Sequence, residues 1–350
     1  MEKEAVTLVI PVYNVATYLN GFFKALDRQS FSHFKCLFVY DASQDDTLQV
    51  LKAAILDHSS YSSTLLMKPF KEGVGKARDF AIESGLIDTK YCLFLDADDI
   101  PHPDLLEKLY QKAVATDADI TLCGFNRVLG GTDHLISTDM VNNPDTIDDL
   151  SSSLVVPYLN PAPWNKLLKT SIIGDVMFIY RGGTGEDEMF FLKLLPKCHR
   201  LAFVNEPLYD YLIHAGSSAT STSKADYEMA CTGYLATKKY YLEHGGNYLA
   251  FLPLLEADVF LHVAIGTTTR VALAYPKEKR YVIRQSRQYL EANFPTWKKN
   301  KYLSHRSSRR LGRKTLHVWR CKILYELHLF SWFVWAYKTY VKLFKRDIKW

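Results

Sequence analysis

Tyr91-Cys92-Leu93-Phe94-Leu95 runs straight into Asp96-Ala97-Asp98-Asp99, and Pro101 and Pro103 close the stretch. A short, unbroken apolar run bounded by turn-formers reads as a strand buried on both faces. Three carboxylates then crowd its end. Like charges held within a few ångströms raise one another's pKa unless a cation or a cleft relieves them, so the cluster marks a reaction centre rather than ordinary surface. Oxygen ligands in this number suit a hard divalent ion that keeps part of its shell for water or phosphate.

On either side of this strand the chain alternates between apolar runs and amphipathic helices. Val6-Thr7-Leu8-Val9-Ile10 is a strand ended by Pro11, and Tyr18, Leu19, Phe22, Phe23 and Leu26 recur at helical spacing. Strands follow over 36–40 and 63–67, and helices over 48–56 and over 74–84, the latter between Gly73 and Gly85. Beyond the acidic cluster come a helix over 103–116 and a strand over 119–124. The alternation predicts an α/β fold with a mainly parallel sheet flanked by helices. Such sheets bind ligands at the carboxyl ends of their strands, where Asp41, residues 71–78 and residues 96–99 all fall. Residues 125–163 lose the pattern and read as a loop-rich insertion. From residue 225 the chain reads as helical, with a basic joint at 298–314.

The 350 residues carry a net charge of +5 that hides an asymmetry. Residues 298–350 hold 15 Lys and Arg against 2 Asp and Glu, and residues 1–297 hold 28 against 36. An acidic body therefore carries a basic tail. The six cysteines form no CxxC pair and read as free thiols in a reducing cytoplasm. Met1-Glu2-Lys3-Glu4 does not read as a signal peptide. Residues 252–274 are apolar, yet Glu256, Asp258, His262 and Arg270 interrupt them, which favours a core helix over a membrane span.

Four motifs stand in order: Pro11-Val12-Tyr13-Asn14, residues 41–47 (Asp-Ala-Ser-Gln-Asp-Asp-Thr), residues 73–79 (Gly-Val-Gly-Lys-Ala-Arg-Asp) and Asp96-Ala97-Asp98-Asp99. Together they resemble the family 2 glycosyltransferases of the GT-A (Rossmann-like) fold. The resemblance implies that Pro11, Val12, Tyr13 and Asn14 line a nucleotide pocket, and that Asp41 accepts from a uracil imide, a donor suited to a carboxylate. Asp41 also reads as a helix cap. Tyr40 and Ala42 stand where that family usually has aspartate and glycine. Arg78, and with it Lys76, is implied to face the diphosphate, the alternative being a solvated helix face. Asp96, with Ala97 beside it, is implied to approach the ribose or a metal-bound water. Asp98 is implied to ligate Mg²⁺ or Mn²⁺, and Asp99 to cap the next helix or brace its neighbours.

Gly182-Gly183-Thr184-Gly185 precedes Glu186-Asp187-Glu188. By the same resemblance Asp187 is the base that takes the acceptor hydroxyl's proton, although acids also enrich any first helical turn. Trp164 and Asn165 resemble an acceptor-side stretch of the family, and Trp164 reads equally as core. His214 lies where relatives place a late metal or phosphate contact, and equally reads as a hydrogen-bonded structural histidine.

The implied function is inverting, metal-dependent transfer of a hexose or N-acetylhexosamine from a UDP-sugar to a hydroxyl of a glycan or lipid-linked glycan. Its expected organisation is a catalytic domain over 1–220, a helical region over 221–297 and a basic aromatic tail over 298–350. In that tail Leu324, Leu327, Phe330, Phe333, Val334, Tyr337, Val341 and Phe344 recur at helical spacing, with Trp319, Trp332 and Trp335 near the same face and Lys338, Lys342, Lys345 and Arg346 beside them. This mixture suits an interfacial helix at the inner face of the cell membrane, a homo-oligomer contact or a helix packed on the acidic body. Bulky apolar residues in a helical stripe argue against nucleic acid. Two other classes compete: a sugar-phosphate nucleotidyltransferase, which needs a glycine-rich basic loop after the first strand, and a non-catalytic membrane-surface binding protein.

Overall fold

The computed structural model describes residues 4–178, 185–214 and 223–344. Two compact units result. One runs over Met1–Leu150, Asn160–Gly182 and Glu186–Ser217, the other over Ser151–Leu159, Gly183–Gly185 and Ser218–Trp350.

The first unit is built on a ten-stranded sheet whose main path, by residue range, runs Ser62–Lys68, Phe34–Asp41, Val6–Val12, Tyr91–Phe94, Lys166–Lys169, Ile120–Leu129, Leu201–Ile213, Ile100–Pro101, with Leu135–Asp139 paired to Ile120–Leu129 and Thr146–Ile147 to Leu201–Ile213 off that path. Its parallel half comprises β1 (Val6–Val12), β2 (Phe34–Asp41), β3 (Ser62–Lys68) and β4 (Tyr91–Phe94), joined by α1 (Ala16–Asp27), α2 (Thr47–Asp57) and α3 (Val74–Glu83). All four residues of β4 are buried, whereas β3 at the edge alternates between covered and exposed positions, as a continuous apolar run and a mixed one require. Helix α1 packs on this sheet through Leu19, Phe22, Phe23 and Leu26.

After β5 (Ile100–Pro101) and α4 (Leu105–Thr116), β6 runs from Ile120 to Leu129 and pairs antiparallel with β7 (Leu135–Asp139). The expected irregular insertion thus begins as a hairpin, because the cross-strand pairs Phe125–Asp139 and Arg127–Ser137 extend the ladder past Gly124. Beyond β8 (Thr146–Ile147), strand β9 (Lys166–Lys169) wedges antiparallel between β4 and β6. A four-residue helix α5 (Thr170–Ile173) follows, then α6 (Glu186–Leu194) and the long β10 (Leu201–Ile213), parallel to β6 with register shifts around Pro207. Strand β10 carries β5 antiparallel on its other side. This pairing ties the end of β4 to the end of the chain's last strand.

The second unit is helical. Helix α7 (Lys224–His244) starts at a capping box in which Ser223 and Asp226 bond each other's backbone. Residues 246–274 form one nearly continuous helix containing α8 (Leu252–Val259), a π-helical stretch over Phe260–Thr267 and α9 (Thr268–Ala274). It is long and apolar enough to cross a membrane, but most of it is buried inside the unit. Its charges are satisfied there: Glu256 accepts from Thr296 and Asn300, and Asp258 accepts from the Tyr234 hydroxyl. The expected core helix is what the structure shows. Helices α10 (Lys279–Asn293), α11 (His305–Leu311), α12 (Arg313–Glu326) and α13 (Phe330–Phe344) complete the unit.

Candidate active site

Strand β4 ends in a turn that Tyr209 of β10 clamps. The Tyr209 hydroxyl donates to Asp99 Oδ2 at 2.9 Å and accepts from the Asp96 amide at 3.4 Å, and the Leu212 amide donates to Asp99 Oδ1 at 2.8 Å. Asp99 therefore braces the turn rather than capping α4, and burial together with Asp98 and Asp96 holds its pKa well above the usual carboxylate range. Asp96 is pushed up to about 6, by burial first and by Asp98 and Asp187 against the pull of Arg78.

Arg78 is the keystone of the site. It lies one turn into α3, almost wholly buried, and its two terminal nitrogens reach Asp187 Oδ1 at 2.6 Å and Asp96 Oδ1 at 2.7 Å. The Phe178 ring lies 5.1 Å beneath the guanidinium. Burial works against the Arg78 charge, but Asp187, Asp96 and Glu186 outweigh it and raise its pKa. The sequence implied a cation facing a diphosphate; in the structure the guanidinium is enclosed between two carboxylates. Lys76, a third exposed, lies 3.9 Å from Asp79.

Helix α3 and the start of α6 meet closely. A Cβ on Gly75 would come within 3.2 Å of Glu186 Cγ, so only glycine fits without displacement there. Asp79 accepts from the Phe178 amide at 2.6 Å, and Phe178 stacks on Phe190 of α6 with ring centres 3.8 Å apart. These contacts deliver Asp187 to Arg78. The Asp187 side chain stays one-third exposed, and among the described residues no hydrogen-bond donor reaches its Oδ2. Glu186 beside it is pushed up to about 7 by burial and by Asp187, and its Oε2 has no partner among the described residues. Gly182, Gly183 and Thr184 lie outside the described residues.

His214, one residue past β10, sets Nε2 2.9 Å from Asp98 Oδ2 and lies against the Tyr18 ring at 5.1 Å. The two residues implied to hold a metal are thus neighbours although 116 positions apart. His214 Nε2 and Asp98 Oδ2 are paired with each other, and a carboxylate and an imidazole, beside the turn that also carries Asp96 and Asp99, are donor types that a divalent cation accepts. Burial is the first cause of the raised pKa of both Asp96 and Asp99, and the neighbouring carboxylates add to it.

The loops after β1, β2 and β3 are stitched together. Asn14, at φ 50°, accepts from the Gln44 amide at 2.8 Å, and its own amide donates to Ser43 Oγ. Asp41 is buried and accepts from the Gly73 amide at 2.9 Å, the Glu72 amide at 3.1 Å and Lys68 at 3.3 Å. Both of its oxygens are engaged by Lys68 and the loop before α3, and no helix is capped by Asp41. Tyr13 is partly exposed, with Lys71 donating to its hydroxyl at 2.8 Å. Pro11 is partly exposed as well, while the side chains of Val12 and Ala97 are buried.

The implied acceptor platform is not met. Trp164 is buried, stacked on Tyr209 at 4.7 Å and Tyr211 at 5.6 Å, and Asn165 is fully buried, donating to the Cys123 carbonyl at 2.8 Å. Both sit immediately before β9, a central strand, which forces them into the core. Sequence reasoning missed Tyr209 and left Glu186 without a role of its own. The hydroxyl of Tyr209 meets Asp99 across 110 positions, which no local pattern reveals.

Acidic residues stand at the carboxyl edge of a parallel half-sheet, joined through Arg78 to a carboxylate on a later helix, and comparison with known proteins places this arrangement in a glycosyltransferase of the GT-A type. The chain belongs to glycosyl transferase family 2, whose model matches residues 7–182, and it is accordingly an enzyme that transfers glycosyl groups. It is similar to the putative glycosyltransferase EpsH of Bacillus subtilis (strain 168), 23% identical over 271 residues that cover 76% of this chain and 77% of that one. Among solved structures, S. aureus TarS 1–349 in complex with UDP-GlcNAc superposes with a TM-score of 0.70 at 17% identity, covering 93% of this chain and 91% of that one. The mannosyltransferase PcManGT from Pyrobaculum calidifontis in complex with GDP-Man and Mn²⁺ superposes at 0.54, with 13% identity, covering 94% and 88%. These likenesses share the fold. Family membership sets aside both the nucleotidyltransferase and the non-catalytic reading.

Proposed function

We propose that the chain moves a hexose or N-acetylhexosamine from a UDP-sugar to a hydroxyl of a glycan or lipid-linked glycan, with inversion and with Mg²⁺ or Mn²⁺. The observation that carries the reading is the buried Arg78, which ties the acidic turn through Asp96 to Asp187. Asp187, held by one oxygen and open at the other, takes the proton of the acceptor hydroxyl. The acceptor oxygen bonds to the anomeric carbon as the bond from that carbon to the diphosphate oxygen breaks, in one displacement that needs no enzyme nucleophile. Asp98 and His214, with Asp96 beside them, would hold the divalent ion, which supplies charge neutralisation to the leaving diphosphate. Asn14, Tyr13 and the loop braced by Asp41 form the donor side. UDP is favoured because the TarS structure, the better superposition, holds UDP-GlcNAc, and a dication is supported by the Mn²⁺ in PcManGT. A peripheral position on the inner membrane face suits a lipid-linked acceptor.

The test is binding and turnover of UDP-sugars by the purified chain with Mn²⁺. Asp187→Asn should leave donor binding within a few-fold and lower transfer by about 10²–10⁴. Asp98→Ala should remove the metal dependence of binding. Transfer retained in both variants would overturn the assignment.

A further inference from the structure

Helix α13 presents two faces. Phe330, Val334 and Tyr337 are buried, packed in the helical unit against α9 and α10. Trp332 and Trp335 stand 67% and 59% exposed, their rings in edge contact at 6.4 Å. The expectation that these indoles share the face of the apolar stripe is corrected here. On a helical screw of about 100° per residue, Trp332, Trp335, Lys338 and Lys342 fall within an arc of about 120° whose centre lies about 130° from that of the buried stripe. Both lysines are exposed, and among the described residues no carboxylate pairs with either.

The patch extends to the turn between α12 and α13, where Leu327 and Leu329 are exposed. That turn is pinned, because His328, at φ 62°, bonds Arg287 at 2.7 Å. Two leucines and two tryptophans are thus held outward within nine residues, and exposed apolar side chains grouped in this way mark interaction surfaces. Indoles with lysines on one helical face match the boundary between acyl chains and anionic headgroups, the ring taking the apolar side and the ammonium the phosphate. Residues 327–344 contain no Asp or Glu, so an isologous contact with a second copy would set lysine against lysine. Arg306, Arg309 and Arg310, which line a cavity with His305, form no ion pair among the described residues.

We propose that this face of α13, with Leu327 and Leu329 at its foot, docks on an anionic phospholipid bilayer. The inference gives the membrane position offered above a named surface, and it stands or falls separately from the donor chemistry. The experiment is co-sedimentation of the full chain with vesicles of phosphatidylcholine alone and with added phosphatidylglycerol. Binding should require the anionic lipid and weaken with salt. Trp332→Ser with Trp335→Ser should weaken it at least about tenfold, and Lys338→Gln with Lys342→Gln about twenty-five-fold, taking each lysine as about a fivefold contribution. All four side chains point outward, so circular dichroism should show folded variants, and UDP-sugar binding without vesicles should be unchanged by them. Absence of vesicle binding, equal binding to phosphatidylcholine alone, or indifference to both double variants would overturn the proposal. So would a dimer in sedimentation that the tryptophan variants dissolve, which gives the face to a second copy.

Discussion

Replacing Arg78 with methionine keeps the length of the side chain and removes its charge. The guanidinium makes contacts of 2.6 and 2.7 Å to Asp187 and Asp96. Each pair, with charge centres about 4 Å apart at an effective dielectric of about 20, is worth about 4 kcal/mol of attraction. The cost of burying the guanidinium itself offsets part of this, so the net loss is about 3–5 kcal/mol, as for a buried pair broken on one side. Two neighbouring acids give the loss a pH signature. Asp96 is raised from 3.8 to about 6 and Glu186 from 4.5 to about 7. A carboxyl that holds its proton more tightly folded than unfolded contributes stability that is full below its unfolded pKa and is lost as pH rises through its folded pKa. Arg78 offsets that loss at neutral pH. The variant should therefore be weaker by about 3–5 kcal/mol near pH 8 and by about half that near pH 5, where Asp96 and Glu186 are protonated when folded and the contact to Asp187 is still lost. Urea unfolding followed by circular dichroism at the two pH values measures it. A deficit independent of pH, or one below about 1 kcal/mol near pH 8, would refute the account of Arg78 as the counter-charge of this cluster. Arg78→Lys should recover part of the deficit, since an ammonium keeps the charge but cannot span both carboxylates.

Glu186→Gln removes a buried acid whose Oε2 lacks a partner among the described residues. It should stabilise the fold by up to about 3 kcal/mol near pH 8 and by nothing near pH 4, the sign following from the raised pKa; thermal melts across that range check it. Ala42 sits at φ 38°, a left-handed conformation that costs a side chain about 1 kcal/mol. Ala42→Gly should accordingly raise stability by several tenths of a kcal/mol, since glycine's freer unfolded chain takes back part of that cost; a fall in urea midpoint would contradict it. Tyr209→Phe strips Asp99 of its hydroxyl donor and should cost about 1–3 kcal/mol, read from the same unfolding curves.

Much of the first unit was legible because its signals are local. The β-branched run over 6–10 and the apolar run over 91–95 each state a buried strand within a few residues. The acids of the turn declare themselves by being unaffordable at a strand end without a purpose. Long-range pairing was not legible. Strand β9 is four residues long and inserts antiparallel between two strands far from it in sequence, and that insertion decided that Trp164 and Asn165 are core. The tail shows the same limit. Helical spacing predicted one aromatic stripe, yet which side of α13 faces α9 and α10 depends on the turn at His328, and it is this turn that leaves Trp332 and Trp335 outside.

By itself the order of residues determined an α/β sheet, the edge at which its acidic motifs gather, and the family those motifs resemble. Only the tertiary structure decided what each charge does there. Arg78 lies between Asp96 and Asp187, Asp98 meets His214, and Asp41 holds a loop. The reason is physical: periodicity is written within one turn or one strand, whereas an ion pair or a brace joins side chains a hundred positions apart, and its partners are fixed only when the sheet closes around them.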